Sequence, residues 1–410
     1  MTESFTLAMT GQSLIKHDIR SIRSQGFQQV CNLLMKADLA FTNFEGTIRG
    51  AHGGWPLKGS FFGCSEPIVL DALKAIGFGA LSLSNNHAFD LGSSGVLSTL
   101  EEVEKRSFLH AGLGRNHAEA SLATKRLIGQ KRVALVAMDG GPGPDFMYAS
   151  NAGHDRPARP GVNRLRLSQV IEVDDTVFEQ LCSLRQQVGY TAIDLTNDSQ
   201  PDDPPSGDPN EVNLARAAFR RSHRFGKSVK IDEKDMTCNL NAIASAAADG
   251  CLVIAYLHHH HWATNWYEVP DWVGWVARRC IDAGAAMFVS HGAPVLQPVE
   301  IYRRRPIFYS LGNFIFHVKS EASSWRAPEV WESVVALCDF GQDNCLNDIT
   351  FHPVIIGGED ALGHKVLEGR LVPHRASGVS AERILGRFKA QSAKLGAQIT
   401  LVDNAGILRV

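Results

Sequence analysis

The chain has 410 residues, of which 44% are hydrophobic and 20% charged, with a formal net charge of −2. That balance fits an ordinary soluble globular protein, and with a pI near 6.8 no global field draws it to nucleic acid or anionic lipid. No segment approaches the ~18 consecutive apolar residues of a membrane span, and the N-terminus lacks the pattern of a signal peptide. The eight cysteines include no CxxC pair, so reduced thiols and a cytoplasmic location are expected.

In chain order, "FTLAMT" from Phe5 reads as a strand and is followed by a helical stretch over Arg20 to Met35. Strand "LAFTN", a helix over Pro67 to Ile76, strand "ALSLS", a helix over Ser94 to Lys105 and strand "RVALVAM" come next. Strand and helix in strict alternation predict an α/β fold with a buried central sheet. Polar clusters follow the strands directly: Gly11-Gln12, Asn43-Phe44-Glu45 and Asn85-Asn86-His87. In open α/β sheets ligands bind at such carboxyl ends.

The middle of the chain breaks this pattern. Asn197 to Asn213, "NDSQPDDPPSGDPNEVN", reads as a long exposed loop, and the polar sequence around it predicts a loop-rich insertion or lid at about residues 140–235 within a single domain over residues 1–410. The α/β pattern then returns with strand "CLVIAYL", helix "DWVGWVARRCIDAG", strand "AMFVS" and "RPIFYSLGNFIF". "SVVALCDF" and "DITFHPVII" read as a closing hairpin or sheet edge.

Four consecutive histidines, His258 to His261, follow the "CLVIAYL" strand. A strand end alternates sides, so two of them are expected to face solvent and the run to supply as little as one catalytic ring. Trp272 and Trp275 have the spacing of a helix core, whereas Trp262 and Trp266 are placed to line a pocket. Asp90 is expected to cap the following helix and Asn313 to hold a site loop. Arg159 and Arg164 can clamp a carboxylate or pair with surface acids, and His17-Asp18 reads as peripheral.

Taken together, "NFEG" from Asn43, "NNHxxDxG" from Asn85 and "YSLGNF" from Tyr309 resemble the CapA family, named for poly-γ-glutamate capsule biosynthesis. The resemblance runs to about Phe316 and implies a calcineurin-like metallophosphatase fold: an αββα sandwich with two central mixed β-sheets flanked by helices. It also implies that Glu45, Asn86, His87, His258 and His291 occupy metal-ligand or catalytic positions. Two positions depart from the pattern: Gln12 stands where a carboxylate is expected and Pro294 where a histidine is. A neutral amide is a poorer ligand for a divalent ion than a carboxylate.

Without metal, the same groups form a proton-transfer site, because imidazole with a pKa near ~6.5 gives and takes protons at working pH. Glu45, His87, His258, His259 and His291 are the expected catalytic residues. Gln12, Asn43, Asn86, His52, Trp55, Trp262 and Asn313 are the expected substrate contacts, with Gln12, Asn86 or a backbone N–H stabilising an enolate oxygen.

The Gly11-Gln12 motif and "AHGGWP" from Ala51 resemble a branch of the family, the metal-independent peptide epimerases of lasso-peptide pathways. That resemblance implies a peptide substrate, no metal or other cofactor, and substrate entry along the His52 and Trp55 loop or under the Asn197 lid. A metal-dependent hydrolase of a phosphoester or γ-glutamyl bond, with one or two Mn or Zn ions, and a binding module with a degenerate site stay open beside it. The sequence leaves the oligomeric state unassigned.

Overall fold

A computed structural model describes residues 4–58, 63–190, 205–318, 325, 327–358 and 372–410. Contacts divide the chain into two compact units, one of residues up to Leu165 with Lys234–Val410, the other Arg166–Glu233.

The larger unit is built on two mixed sheets. In the first, strands Phe5–Met9, Leu39–Asn43, Ala80–Ser82 and Leu109–Ala111 run parallel, and Glu332–Phe340 joins antiparallel beside Phe5–Met9. In the second, Lys131–Asp139, Leu252–His258, Met287–His291 and Arg305–Phe308 run parallel, with antiparallel strands at both edges.

The period of two along a strand decides which core each side chain joins. Leu7, Met9 and Phe41 pack between the sheets against Leu135, Ile254, Tyr256 and Val289. Their neighbours Ala8 and Ala40 pack outward with Val30, Leu34, Val69 and Leu100, from the helices Gln25–Lys36, Ile68–Ala75 and Gly92–Lys105. Each helix therefore buries one apolar stripe against a sheet face. This is the expected sandwich.

Several expectations change. The first helix starts at Gln25, five residues later than its periodicity suggests, because Asp18, Arg20 and Arg23 hold the preceding turns with local side-chain bonds. The hairpin of Glu332–Phe340 and Leu346–Ile356 forms as expected, but it is not the sheet edge: Ala405–Arg409 and Thr400–Val402 extend the sheet beyond it. The helix Gly378–Ala393 places Ile384, Leu385 and Phe388 in the inter-sheet core.

The smaller unit is more regular than its polar sequence suggests. It holds a four-stranded sheet in the order Glu211–Leu214, Ala217–Arg221, Leu167–Val173, Gly226–Ile231, and a helix Asp175–Gln187. Asp174 caps that helix by accepting from the Val177 N–H at 2.9 Å. Its core is small, with Val173, Phe178 and Val212 buried, which is why periodicity was weak there. Of the Asn197–Asn213 stretch, residues 197–204 lie outside the described residues.

Candidate active site

All parallel strands of a sheet carry their carboxyl ends on one side, and here those ends bring the polar clusters to one pocket. The pocket has a volume of about 310 Å³. Gln12, Glu45, Lys58, Asn86, His87 and His260 line one part, and Leu14, Trp262, Pro294, Phe316 and Trp325 make its apolar wall.

Glu45 follows the Leu39–Asn43 strand and is buried, its backbone N–H donating to the Ser13 carbonyl at 3.0 Å. Burial pushes its carboxyl above the usual range, opposed by the nearby His87 and Lys58. Glu45 Oε1 lies 4.0 Å from His87 Nε2 and 4.0 Å from His258 Nε2. Glu45 Oε2 is buried with no hydrogen-bond partner.

His87 is held from behind. Its Nδ1–H donates to Asp90 Oδ2 at 2.7 Å, and the Gly63 N–H donates to the same oxygen at 2.7 Å. That bond fixes the tautomer and aims Nε2 at the pocket. Asp90 therefore orients His87 and does not cap the next helix, whose N-cap is Leu91. Lys58 was missed from sequence: its Nζ donates to the Asn86 carbonyl at 2.8 Å and lies 3.6 Å from Asp90 Oδ1.

The histidine run alternates as a strand end does, but none of its rings is exposed. The Gly140 N–H donates to the His258 carbonyl and the His260 N–H to the Gly141 carbonyl, both at 2.7 Å, which keeps the segment extended. His258 and His260 face the site, with ring centroids 5.1 Å apart and His258 Nε2 3.0 Å from Asn86 Oδ1. His259 and His261 face the other way, edge-on to Trp272.

His259 thus does not line the pocket and His260 does. Extended backbone with a period of two puts His258 and His260 on one face, which is the signal that separates His260 from His259. Burial holds His258 well below the ordinary imidazole value and brings His260 to about 3. Both are neutral at neutral pH.

The other expected residues separate. His291 is fully buried, its Nδ1 3.3 Å from the Tyr256 hydroxyl, and is not among the pocket-lining residues. Asn43 is buried and accepts from Asn85 Nδ2 at 3.2 Å. Asn313 braces the site: it accepts from Gln12 Nε2 at 2.9 Å and donates to the Val330 carbonyl at 3.0 Å. His52 is bound to Glu101 at 2.7 Å, and Trp55 is 83% exposed; neither lines the pocket.

Trp262 lines it as expected, and Trp266 packs behind Trp262 and Trp325. Trp275 is 41% exposed, so it is not core. Arg164 pairs with Asp235 at 2.9 Å and Arg159 donates to the Tyr148 carbonyl, so neither clamps a substrate here.

Two glycines set the close approach of the site loops. A Cβ on Gly11 would stand 2.3 Å from the Gly312 carbonyl oxygen. At Gly292, with φ +127°, it would stand 1.7 Å from the His259 carbonyl oxygen. We expect Gly292→Ala to destabilise the protein by roughly 3 kcal/mol or more, since both the conformation and the contact are forbidden to a side chain. A melting temperature unchanged from the parent would contradict this.

A metallophosphatase fold implies metal, and the donor set can be tested for it. Ligand atoms of Glu45, His258 and His260 all lie within 4.8 Å of one another, and Asn86 Oδ1 adjoins them. One divalent ion fits this set. Among the described residues the positions for a second ion are poorer, since Gln12 offers a neutral amide oxygen, with its Nε2 bound to Asn313, and Pro294 offers no ligand.

The comparisons with known proteins agree with this fold. The family model described as "Bacterial capsule synthesis protein PGA_cap" matches residues 6–318. The chain is 29% identical over 461 aligned residues to "Uncharacterized protein y4sH" of Sinorhizobium fredii, covering 100% of this chain and 94% of that one. It is 21% identical to "Capsule biosynthesis protein CapA" of Bacillus anthracis, over 77% of this chain and 60% of that one. A "Probable polyglutamine synthesis accessory protein" of Mycobacterium tuberculosis is 24% identical, over 68% of this chain and 55% of that one. With the motifs, the sandwich and this match over most of its length, the chain belongs to the bacterial capsule synthesis protein PGA_cap family.

Proposed function

We propose that the chain is a metal-independent acid/base enzyme that inverts a Cα centre in a peptide, most concretely in a ribosomal precursor of the lasso type. One observation carries the reading. Where a two-ion site needs a carboxylate and a further imidazole, this pocket has Gln12 and Pro294, while imidazoles from opposite sheets, His87 and His260, converge on the single carboxylate Glu45. The relative named for polyglutamine synthesis supports an amide-linked substrate.

In this mechanism neutral His260 accepts the Cα proton, and the C–H electron pair moves into an enolate. His87 enters the cycle as the imidazolium, with Nδ1–H on Asp90 and Nε2–H toward the pocket, and returns its Nε2 proton to the opposite face. His260 then gives its proton to solvent and His87 regains one, with Glu45 offsetting the imidazolium charge. The free state of all eight cysteines supports a cytoplasmic setting. Among the described residues no helix is long and apolar enough to cross a membrane.

A second reading is favoured by the Glu45, His258 and His260 cluster: a one-ion hydrolase. A divalent ion held there would supply Lewis-acid polarisation of a carbonyl or phosphoryl oxygen. The two readings separate on chelation. We expect turnover of peptide to be unchanged within about twofold after EDTA treatment and gel filtration. Loss of activity on chelation, restored by Mn²⁺ or Zn²⁺, would establish the hydrolase instead.

A further inference from the structure

Removing a proton next to a carbonyl puts negative charge on the carbonyl oxygen, and that charge needs a positively charged or hydrogen-bonding partner in the pocket. The histidines are poor candidates for it. His258 Nε2 is held 3.0 Å from Asn86 Oδ1, and His87 Nδ1–H is spent on Asp90. Gln12 presents Oε1, a buried acceptor with no partner, while its Nε2 is bound to Asn313. Among the described residues that line the pocket, Lys58 is the one lysine or arginine.

Lys58 is also well placed. Its ammonium has three hydrogens. One is used on the Asn86 carbonyl at 2.8 Å, and Asp90 Oδ1 at 3.6 Å anchors the charge without taking it into a tight pair. His87 Nδ1 lies 3.5 Å from the same nitrogen, so the cation sits beside the ring that returns the proton. Lys58 follows Glu45 in the chain beyond the strand Thr47–Ile48, and its side chain is partly exposed, as a group that meets an incoming substrate must be.

From this juxtaposition we infer that Lys58 is a catalytic residue: its ammonium donates a hydrogen bond to the substrate carbonyl oxygen that becomes the enolate oxygen. The inference rests on the epimerase reading above. The Cα–H bond breaks with its proton going to a pocket base, and its electron pair spreads onto that oxygen. Lys58 keeps its own proton throughout, so the carbonyl re-forms when Cα is reprotonated. No oxidant, reductant or co-reactant enters the cycle.

The test uses the full chain and a panel of synthetic acetylated decapeptides in heavy water, with deuterium at Cα followed by mass spectrometry. Lys58→Met should lower kcat for exchange about a hundredfold with KM within about threefold. Lys58→Arg should recover to within about tenfold of the parent, because it restores a cationic donor. A fold defect would lower the melting temperature and would not be rescued selectively in kcat. Parent exchange with Lys58→Met at a comparable rate, or an effect confined to KM, overturns the role of Lys58 alone. No exchange by the parent protein on any peptide of the panel overturns the epimerase reading, and the role of Lys58 with it.

Discussion

His87→Gln is expected to lower peptide turnover about 10³-fold while leaving the fold intact, within the range that positioned proton transfer contributes. The expectation follows from geometry. Asp90 accepts from His87 Nδ1 at 2.7 Å, which leaves Nε2 facing the pocket, 4.0 Å from Glu45 Oε1. Glutamine keeps a donor for Asp90 but cannot exchange a proton at the position of Nε2. Asp90→Asn should cost less, about a hundredfold, since the ring remains and only its tautomer loses support. Turnover and melting temperature measured together separate these effects from unfolding. Equal turnover in His87→Gln and the parent would remove His87 from the chemistry.

The second large effect is on stability in acid. Burial brings His259 and His291 to about 3, and His258 lies well below its ordinary value. Between that range and the ordinary imidazole pKa of ~6.5, the unfolded chain binds protons that the folded chain does not. Stability is therefore full above about 6.5 and falls as the pH drops toward 3. At ~1.4 kcal/mol per pH unit, two such rings remove up to roughly 10 kcal/mol, comparable with the whole stability of a domain.

Asp139 acts in the opposite sense. Burial raises its carboxyl to about 7, so the folded state holds a proton between about 4 and 7 that the unfolded state has lost, and offsets part of the acid effect. The balance predicts cooperative unfolding near pH 5, followed by circular dichroism. His259→Phe keeps an aromatic ring edge-on to Trp272, 4.7 Å away in the parent, and removes one titrating group. Its unfolding midpoint should move about half a unit lower or more, and an unchanged midpoint would contradict the account.

The parts legible in sequence were those set by local pattern. Alternating strands such as Phe5–Met9 pointed to an α/β fold with a buried sheet, and the polar tips at Gln12, Glu45 and Asn86-His87 pointed to one pocket. The two-sheet sandwich followed from the family resemblance. What escaped was set by tertiary context. His260 replaced His259 because backbone bonds to Gly140 and Gly141 keep the histidine run extended past the end of the strand. Lys58 carried no signal, since a lysine in a Gly- and Pro-rich loop reads as a solvated charge until Asn86 and Asp90 are seen beside it.

His291 stands in register with His258 and, like it, is fully buried outside the pocket lining, its Nδ1 3.3 Å from the Tyr256 hydroxyl, a partner that its motif does not show. The C-terminal helix and strands were unreadable because their apolar residues fill a core made by distant segments.

Metal-free proton exchange at a peptide Cα is read out by incubating EDTA-treated protein with peptide in heavy water and recording the mass and the chirality of each residue. The expected result is one deuterium at the inverted Cα and no cleavage. Cleaved peptide without deuterium, appearing only when Mn²⁺ or Zn²⁺ is returned, would contradict it.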